Sequence, residues 1–472
     1  MTLTTDAPTT PSGPTGPLPT TRRRLTGWGR TAPTTADVLR TSDVDVLARA
    51  VRGAGERGII ARGLGRSYGD PAQNAGGLVV DMTAFDRIHR IDVDEALVDV
   101  DAGVSLDTLL RTLVPHGLWI PVLPGTRQVT VGGAIGADIH GGNHHTQGSF
   151  TNHVVSMDLL TADGSVRTLT PHGPERDLFL ATAGGMGLTG IVLRARIRLD
   201  RVETSYFIAD VEQAPDFDDM LARLQKNDER YTYSKTWFDS VTTGEHMGRG
   251  FLLRGSSAKL EDLPAKLRKD PLKFDAPQLA TFPDVFPPGM LNRWTAKALN
   301  EFYYRKAKTQ TGVVQNITQF YHLLDLFAEW NRAYGPHGFL QYQFVVPFER
   351  VDVLRRSMET IVESGHISAL NVLKRFGKGN DAHLSFPTEG WTLAVDLPVA
   401  PGLHELCETL DEMVLSAGGR LYLAKDSRTT ADRLARMYPR LEEWRGIRDA
   451  VDPGRRFASD QARRLQLVGP AR

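Results

Sequence analysis

Arg62-Gly63-Leu64-Gly65-Arg66-Ser67-Tyr68-Gly69-Asp70 and, about 60 residues further on, Pro124-Gly125-Thr126-Arg127-Gln128-Val129-Thr130-Val131-Gly132-Gly133-Ala134-Ile135-Gly136-Ala137-Asp138-Ile139-His140-Gly141-Gly142-Asn143 are the stretches on which the reading of this 472-residue chain turns. Glycines that follow a strand let backbone N–H groups come close to a phosphate and form an anion nest, and Arg66 adds a charge. Taken alone, the first stretch is as readily a tight turn. It is not a Walker loop, because no Gly-Lys-Ser/Thr follows, and it lacks the Gly-x-Gly-x-x-Gly spacing of a dinucleotide fingerprint. Glycine density like that of the second stretch signals backbone pressed against a ligand. His140, next to Ile139, reads either as a core histidine or as a site residue. With His144, His145 and His153 it matches no usual zinc spacing.

Outward from these loops the chain alternates helix and strand. The spacing predicts a helix over 41–52 and strands over 58–61, 77–81 and 97–104. A helix over 106–114 and a strand over 118–123 follow. Beyond the second loop come strands over 156–161 and 191–197, the latter after a third glycine cluster at 183–190. From about residue 200 to 417 the chain holds most of its aromatics and strands over 339–346 and 391–398. Gly418-Gly419 opens a last segment, with a strand over 420–424 and helices through 451.

Composition narrows the function classes. Lys+Arg and Asp+Glu are both 56, which argues against a broad nucleic-acid surface. A hydrophobic fraction of 41% with 24% charged residues is that of a globular chain able to bury a large core. The single cysteine, Cys407, excludes an intramolecular disulfide and a cysteine zinc cage. No run approaches the ~18 apolar residues of a membrane span. Residues 1–20, rich in Thr, Pro, Gly and Ser, read as a disordered arm. Arg22-Arg23-Arg24 precedes no apolar stretch, so no cleavable signal is expected.

The two glycine-rich loops together resemble the FAD-binding domain of the vanillyl-alcohol-oxidase-like flavoproteins. The likeness extends from about 25 to 468, through 25–30, 61–70, 122–133, 138–141, 315–322, 339–344 and 424–428. Within that superfamily it is to the actinobacterial cell-wall branch that acts on decaprenylphosphoryl ribose. The resemblance implies an α+β fold of two domains. A PCMH-type FAD-binding domain is made of 21–200 and the return segment 418–472, and an antiparallel-sheet substrate domain of 201–417. It implies that Ala61, Arg62, Gly63, Leu64, Gly65, Arg66, Ser67, Tyr68, Gly69, Asp70 and Pro71 cradle the FAD pyrophosphate. Gly125, Thr130, Val131, Gly132, Gly133, His140, Gly141, Gly142, Asn143 and Ile191 then line the rest of the cofactor channel, and Tyr422 touches the flavin. Covalent relatives often carry His at the position of Arg66, and Cys407 lies outside both loops, so non-covalent FAD is expected.

The implied catalytic residues are Lys425, His140 and Tyr68. Read alone, Lys425 is a surface lysine paired with Asp426. In the family context it takes the hydroxyl proton or steadies an alkoxide. Strand alternation would set Tyr422 and Lys425 on opposite faces, so a bend near Ala424, or a backbone contact from Tyr422, is expected. Gln341 and Gln343 share one strand face and bind sugar hydroxyls or point to solvent. Lys374, on an apolar strand face, is a phosphate partner or a snorkelling side chain. Trp237 and Tyr321 are expected cavity walls by family match. The proline- and aromatic-rich stretch 274–294, preceded by Lys259, Lys266, Arg268 and Lys269, reads as loops that receive a polyprenyl chain, or as a packed extended segment.

The implied reaction is oxidation of the 2'-hydroxyl of decaprenylphosphoryl-β-D-ribose to the 2'-keto sugar, the first half of an epimerisation feeding cell-wall arabinan. Electrons would leave to oxygen or a quinone. The implied partner is a nicotinamide-dependent keto-sugar reductase. The implied location is the cell envelope, in the periplasm or on the cytoplasmic membrane face, with peripheral membrane contact and no nucleic acid. Rivals are an alditol or aldonolactone oxidase, whose usual His-Trp-Gly-Lys ending is here Tyr422-Leu423-Ala424-Lys425, and a non-catalytic flavin-binding envelope protein. Two positions depart from the family: Gly142, where some members have lysine, and Ala394, where several have cysteine.

Overall fold

The computed structural model describes residues 18–469 apart from 288 and 291. The expected arm lies outside the described residues up to position 17, and its last residue, Thr20, already begins a strand. Four sheets carry an α+β architecture. In the first, Thr20–Leu25 pairs antiparallel with Thr34–Leu39, and Leu78–Asp81 runs parallel between that strand and Ile59–Arg62. Ile59, Ile60, Val79 and Val80 are fully buried. The second sheet is antiparallel, in the order Ile88–Asp92, Leu97–Asp101, Ile191–Arg198, Val154–Leu160, Val166–Leu169.

The third and fourth sheets are also antiparallel. The third runs Tyr233–Phe238, Gly250–Ser257, Tyr206–Ala214, Gln310–Asn316, and the fourth Asn371–Phe376, Gly390–Pro398, Phe339–Val346, Arg420–Leu421. They meet where Thr236 Oγ1 donates to the Leu373 carbonyl at 3.0 Å and accepts from the Leu373 N–H at 3.1 Å. No helix among the described residues is long and apolar enough to cross a membrane.

Three elements depart from the sequence reading, each for a local reason. The strand expected over 118–123 is only Leu118–Trp119. Pro121 has no N–H for a ladder, and its carbonyl instead accepts from the Asn143 amide at 2.7 Å. The second glycine-rich loop contains a short helix, Val131–Gly136, capped by Thr130, whose Oγ1 accepts from the Gly133 N–H. Glycine is a poor helix former, so its sequence carries no helical signal. The strand expected over 420–424 stops at Leu421. The Tyr422 carbonyl then accepts from the Lys425 and Asp426 N–H groups at 2.9 and 3.0 Å, and the chain turns. The return segment thus begins as the fourth strand of the 339–398 sheet.

Candidate active site

Between the two glycine-rich loops and the fourth sheet lies a cavity of about 1990 Å³, counting its open mouth. Ala61, Gly63, Leu64, Gly65, Arg66, Ser67, Tyr68 and Pro71 form one wall. The backbone N–H groups of Leu64, Gly65, Arg66 and Ser67 donate to no described residue. The ends of this stretch are tied down, by Trp28 N–H to the Ser67 carbonyl at 2.8 Å and Tyr68 N–H to the Ala424 carbonyl at 2.9 Å. Consecutive free N–H groups in a turn make an anion cradle. Gly65 sits at φ 67°, in the left-handed region, where a Cβ would also strike the Arg62 guanidinium.

The rest of that first stretch is scaffold. Arg62 donates to the Ala72 and Thr26 carbonyls at 3.0 and 2.7 Å. Asp70 pairs with Arg464 at 2.7 Å, and Gly69 abuts the Asp426 carbonyl. Arg66 stacks 4.2 Å over the Trp28 ring and lies 3.7 Å from Glu329.

From the second loop, Gly125, Thr130, Gly132, Gly133 and His140 line the cavity. Val131, Gly141, Gly142, Asn143 and Ile191 do not line it. Val131 and Ile191 are fully buried in the core. Gly142 N–H donates to the Tyr321 hydroxyl at 2.7 Å, and that hydroxyl donates to the Leu123 carbonyl at 2.6 Å. A Cβ at Gly141 would collide with both the hydroxyl and the carbonyl. These residues pin the loop from its far side.

The facing wall comes from the fourth sheet and the turn after it: Gln341, Gln343, Lys374, Ala394, Tyr422 and Lys425. The early turn puts Tyr422 and Lys425 in one wall. The Tyr422 hydroxyl donates to the Ala137 carbonyl at 2.9 Å, and its ring stacks on Phe386 at 4.7 Å. The Lys425 amine lies 3.9 Å from the centre of the Tyr68 ring. Gln341 Nε2 donates to the Tyr68 hydroxyl oxygen at 3.2 Å and to the Asp396 carboxylate at 2.5 Å, and the Tyr334 hydroxyl reaches the same carboxylate at 3.4 Å. Burial pushes the Lys425 amine down and the Asp396 carboxyl up; Asp396 pulls the amine partly back, and Lys374 lowers it further.

Beside this set, Gln343 Nε2 donates to Thr392 Oγ1 at 3.3 Å and lies 3.0 Å from His140 Nε2, which accepts in this orientation. Burial first, then Lys374, holds the imidazole well below its usual range, so it is neutral. Its Nδ1 has no partner among the described residues. Burial brings Lys374 down to about 8.

Two aromatics expected as cavity walls lie outside its lining. Trp237 stacks on Phe251 and meets Tyr303 edge-on at 5.1 Å, and Tyr321 is occupied with the second loop; neither lines the cavity. Cys407 is fully buried in the helix Leu403–Ser416, its thiol pushed up to about 11 by burial, and is no part of the lining. The sequence reading missed Asp396 and Tyr334, and the lining residues Asp325, Glu329 and Trp330. For Asp396 the signal was there: one carboxylate within an otherwise apolar strand core.

FAD fits these residues. The free N–H groups suit a pyrophosphate, and His140 Nδ1 is a buried donor without an acceptor among the described residues. Residues 36–170 match the family model for an FAD binding domain, and residues 295–465 that for D-arabinono-1,4-lactone oxidase. The chain is 61% identical over 455 residues to the decaprenylphosphoryl-beta-D-ribose oxidase of Mycolicibacterium smegmatis, covering 96% of this chain and 99% of that one. It is 40% identical to a Streptomyces coelicolor protein named only as uncharacterized, in the mprA 5' region, over 77% of this chain and 100% of the relative. At 23% identity it aligns with the L-gulono-1,4-lactone dehydrogenase of Mycobacterium tuberculosis over 90% of this chain and 93% of that one. The chain belongs to the decaprenylphosphoryl-β-D-ribose oxidase family of FAD-dependent oxidoreductases.

Proposed function

We propose that this chain oxidises the 2'-hydroxyl of decaprenylphosphoryl-β-D-ribose to the 2'-keto sugar, the first half of an epimerisation to the arabinose donor for cell-wall arabinan. The observation that carries the reading is the buried Lys425 amine over Tyr68, flanked by two carboxamides and Lys374 in one cavity. The name of the 61% identical relative supports the same substrate. Bound FAD supplies a hydride acceptor. The N–H groups of 64–67 would hold its pyrophosphate, Gly125, Thr130, Gly132 and Gly133 would line its channel, and His140 and Tyr422 would border it. Lys425 Nζ takes the hydroxyl proton or, when charged, steadies the oxygen. Tyr68 fixes that amine, Gln341 and Gln343 orient the sugar, and Lys374 meets the phosphate.

FAD is held without a covalent bond: position 66 is arginine, and Cys407 is buried outside the cavity. Residues 21–200 with 418–472 serve the cofactor and 201–417 the substrate. A nicotinamide-dependent reductase completes the epimerisation at the cell envelope. Anaerobic bleaching of the flavin tests the reading. Polyprenylphosphoryl ribose should bleach it, and absence of bleaching with that sugar would overturn the assignment. A lactone oxidase is the second reading, favoured by the match over 295–465. Turnover of a lactone with none of the lipid-linked sugar would establish it.

A further inference from the structure

Two lysine amines stand together at the cavity without a counter-ion. Lys374 lines it and makes no hydrogen bond or ion pair with a described residue. Lys235, in the strand Tyr233–Phe238, is its neighbour. The hydrogen bonds between Thr236 and Leu373 lock the two strands together, one position along from each lysine. Lys235 Nζ donates to the Phe320 carbonyl at 2.5 Å and reaches the Tyr321 carbonyl at 3.5 Å. It lies 5.0 Å from the centre of the Tyr321 ring and 5.6 Å from that of Phe320. Carbonyls and ring faces favour a cation, but they bring no net charge to balance it. No carboxylate among the described residues acts on either amine, and the buried Asp396 acts on Lys425 instead. Burial first, then the Lys374 amine, brings Lys235 down to about 7.

Like charges drawn out of water side by side cost stability, and an anion between them reverses the penalty. An ammonium has three N–H donors; two of those on Lys235 are taken by the carbonyls, which leaves one for a ligand. Both side chains are part-buried, so a bound group can reach them. Lys235 lies outside the cavity lining, next to Lys374. We infer that Lys235 is a second phosphate-binding residue, and that its amine and that of Lys374 together hold the phosphate of the lipid-linked sugar. This deepens, and rests on, the reading that the substrate is a prenylphosphoryl ribose. It also gives that substrate an advantage over a lactone, which has no anion to place between the amines. Gly142 offers an independent route to the same space. Its N–H donates to the Tyr321 hydroxyl, its carbonyl accepts from the Ser234 N–H at 2.8 Å, and a Cβ there would meet nothing nearer than 3.5 Å.

The test uses the whole FAD-loaded protein, with farnesyl phosphate as the probe in calorimetric titrations and a short-chain prenylphosphoryl ribose for turnover. Lys235→Met should weaken farnesyl phosphate binding about tenfold. It should raise KM by a similar factor while kcat stays within about threefold. Flavin content reports that each variant is folded. Two further variants return a cation: Lys235→Arg, and Gly142→Lys added to Lys235→Met. Recovery of binding in either one supports the clamp, because it follows the charge and not the side chain that braces Phe320. Unchanged binding and KM in Lys235→Met would overturn the inference. So would a loss that Lys235→Arg shares and Gly142→Lys fails to restore, which would make Lys235 a structural brace. The substrate reading fails separately. If the wild type turns over no prenylphosphoryl ribose while farnesyl phosphate binding still depends on Lys235, that reading falls and the phosphate site stands. Turnover together with binding that ignores Lys235 is the reverse.

Discussion

The Lys425 amine makes no hydrogen bond or ion pair with a described residue, yet it lies among Tyr68, Lys374 and the buried Asp396. An amine so desolvated gives up its proton more readily than one in water. Lys425→Met should lower kcat by about 10²–10⁴ with flavin content unchanged; a loss of less than tenfold in stopped-flow reduction would deny it the proton. The pH profile carries a sign. The Asp396 carboxylate favours the charged amine, so Asp396→Asn should lower the amine's pKa and move the acid limb of kcat/KM to lower pH. A limb that stays put or moves up would separate Asp396 from the amine. Ala394 lines the same cavity, and the only thiol, at Cys407, is fully buried. A thiol-directed compound activated by turnover should therefore leave no adduct by mass spectrometry, whereas Ala394→Cys should acquire one. Lys425 was legible only through the family resemblance, since its own surroundings in the sequence read as a surface lysine beside Asp426. Asp396 escaped notice because its importance lies in partners, Gln341 and Tyr334, more than 50 residues away in sequence.

At the level of elements, the strand Phe339–Val346 reads directly from its sequence. Gln341 and Gln343 face the cavity, while Tyr342 donates to Asp411 at 2.9 Å and Phe344 is fully buried. Alternation of period 2 makes such faces visible in the string of residues itself. The second loop does not read that way. Its helix depends on the Thr130 cap and on close packing, and the same Thr130 side chain fills the space beside Gly63. A Cβ at Gly63 would overlap Thr130 Oγ1, so Gly63→Ala should sharply reduce the FAD retained per protein, read from the absorbance ratio. Thr130→Ala alone should cost about 1 kcal/mol through the lost cap. The double variant should regain part of the flavin that Gly63→Ala loses, because the clash is then relieved. Equal flavin loss in the single and double variants would show that the two loops do not meet through this contact.

Across the whole molecule, the site joins parts of the chain that are far apart in sequence, and the C-terminal segment closes it. Arg464 in the helix Asp460–Arg464 donates to Asp70 at 2.7 and 3.1 Å, to Asp426 at 2.9 Å and to the Thr429 carbonyl at 2.8 Å. One guanidinium thereby ties the end of the first glycine loop to the turn that carries Lys425. The carboxylates are 13% and 2% exposed, so neither can turn to bulk water if the cation is lost. The length of the family likeness implied that the tail belongs to the fold, but nothing in Asp460 to Arg464 as a string names Asp70, some 390 positions earlier, as its partner. Arg464→Met keeps much of the volume and removes the charge. It should cost about 3 kcal/mol, as expected when one member of a buried ionic cluster is deleted. Because both tethered segments border the cavity, flavin release should track unfolding, with the two denaturant midpoints falling together. A variant that keeps the wild-type midpoint, or one that loses stability while holding FAD as tightly as before, would show that this junction does not organise the site.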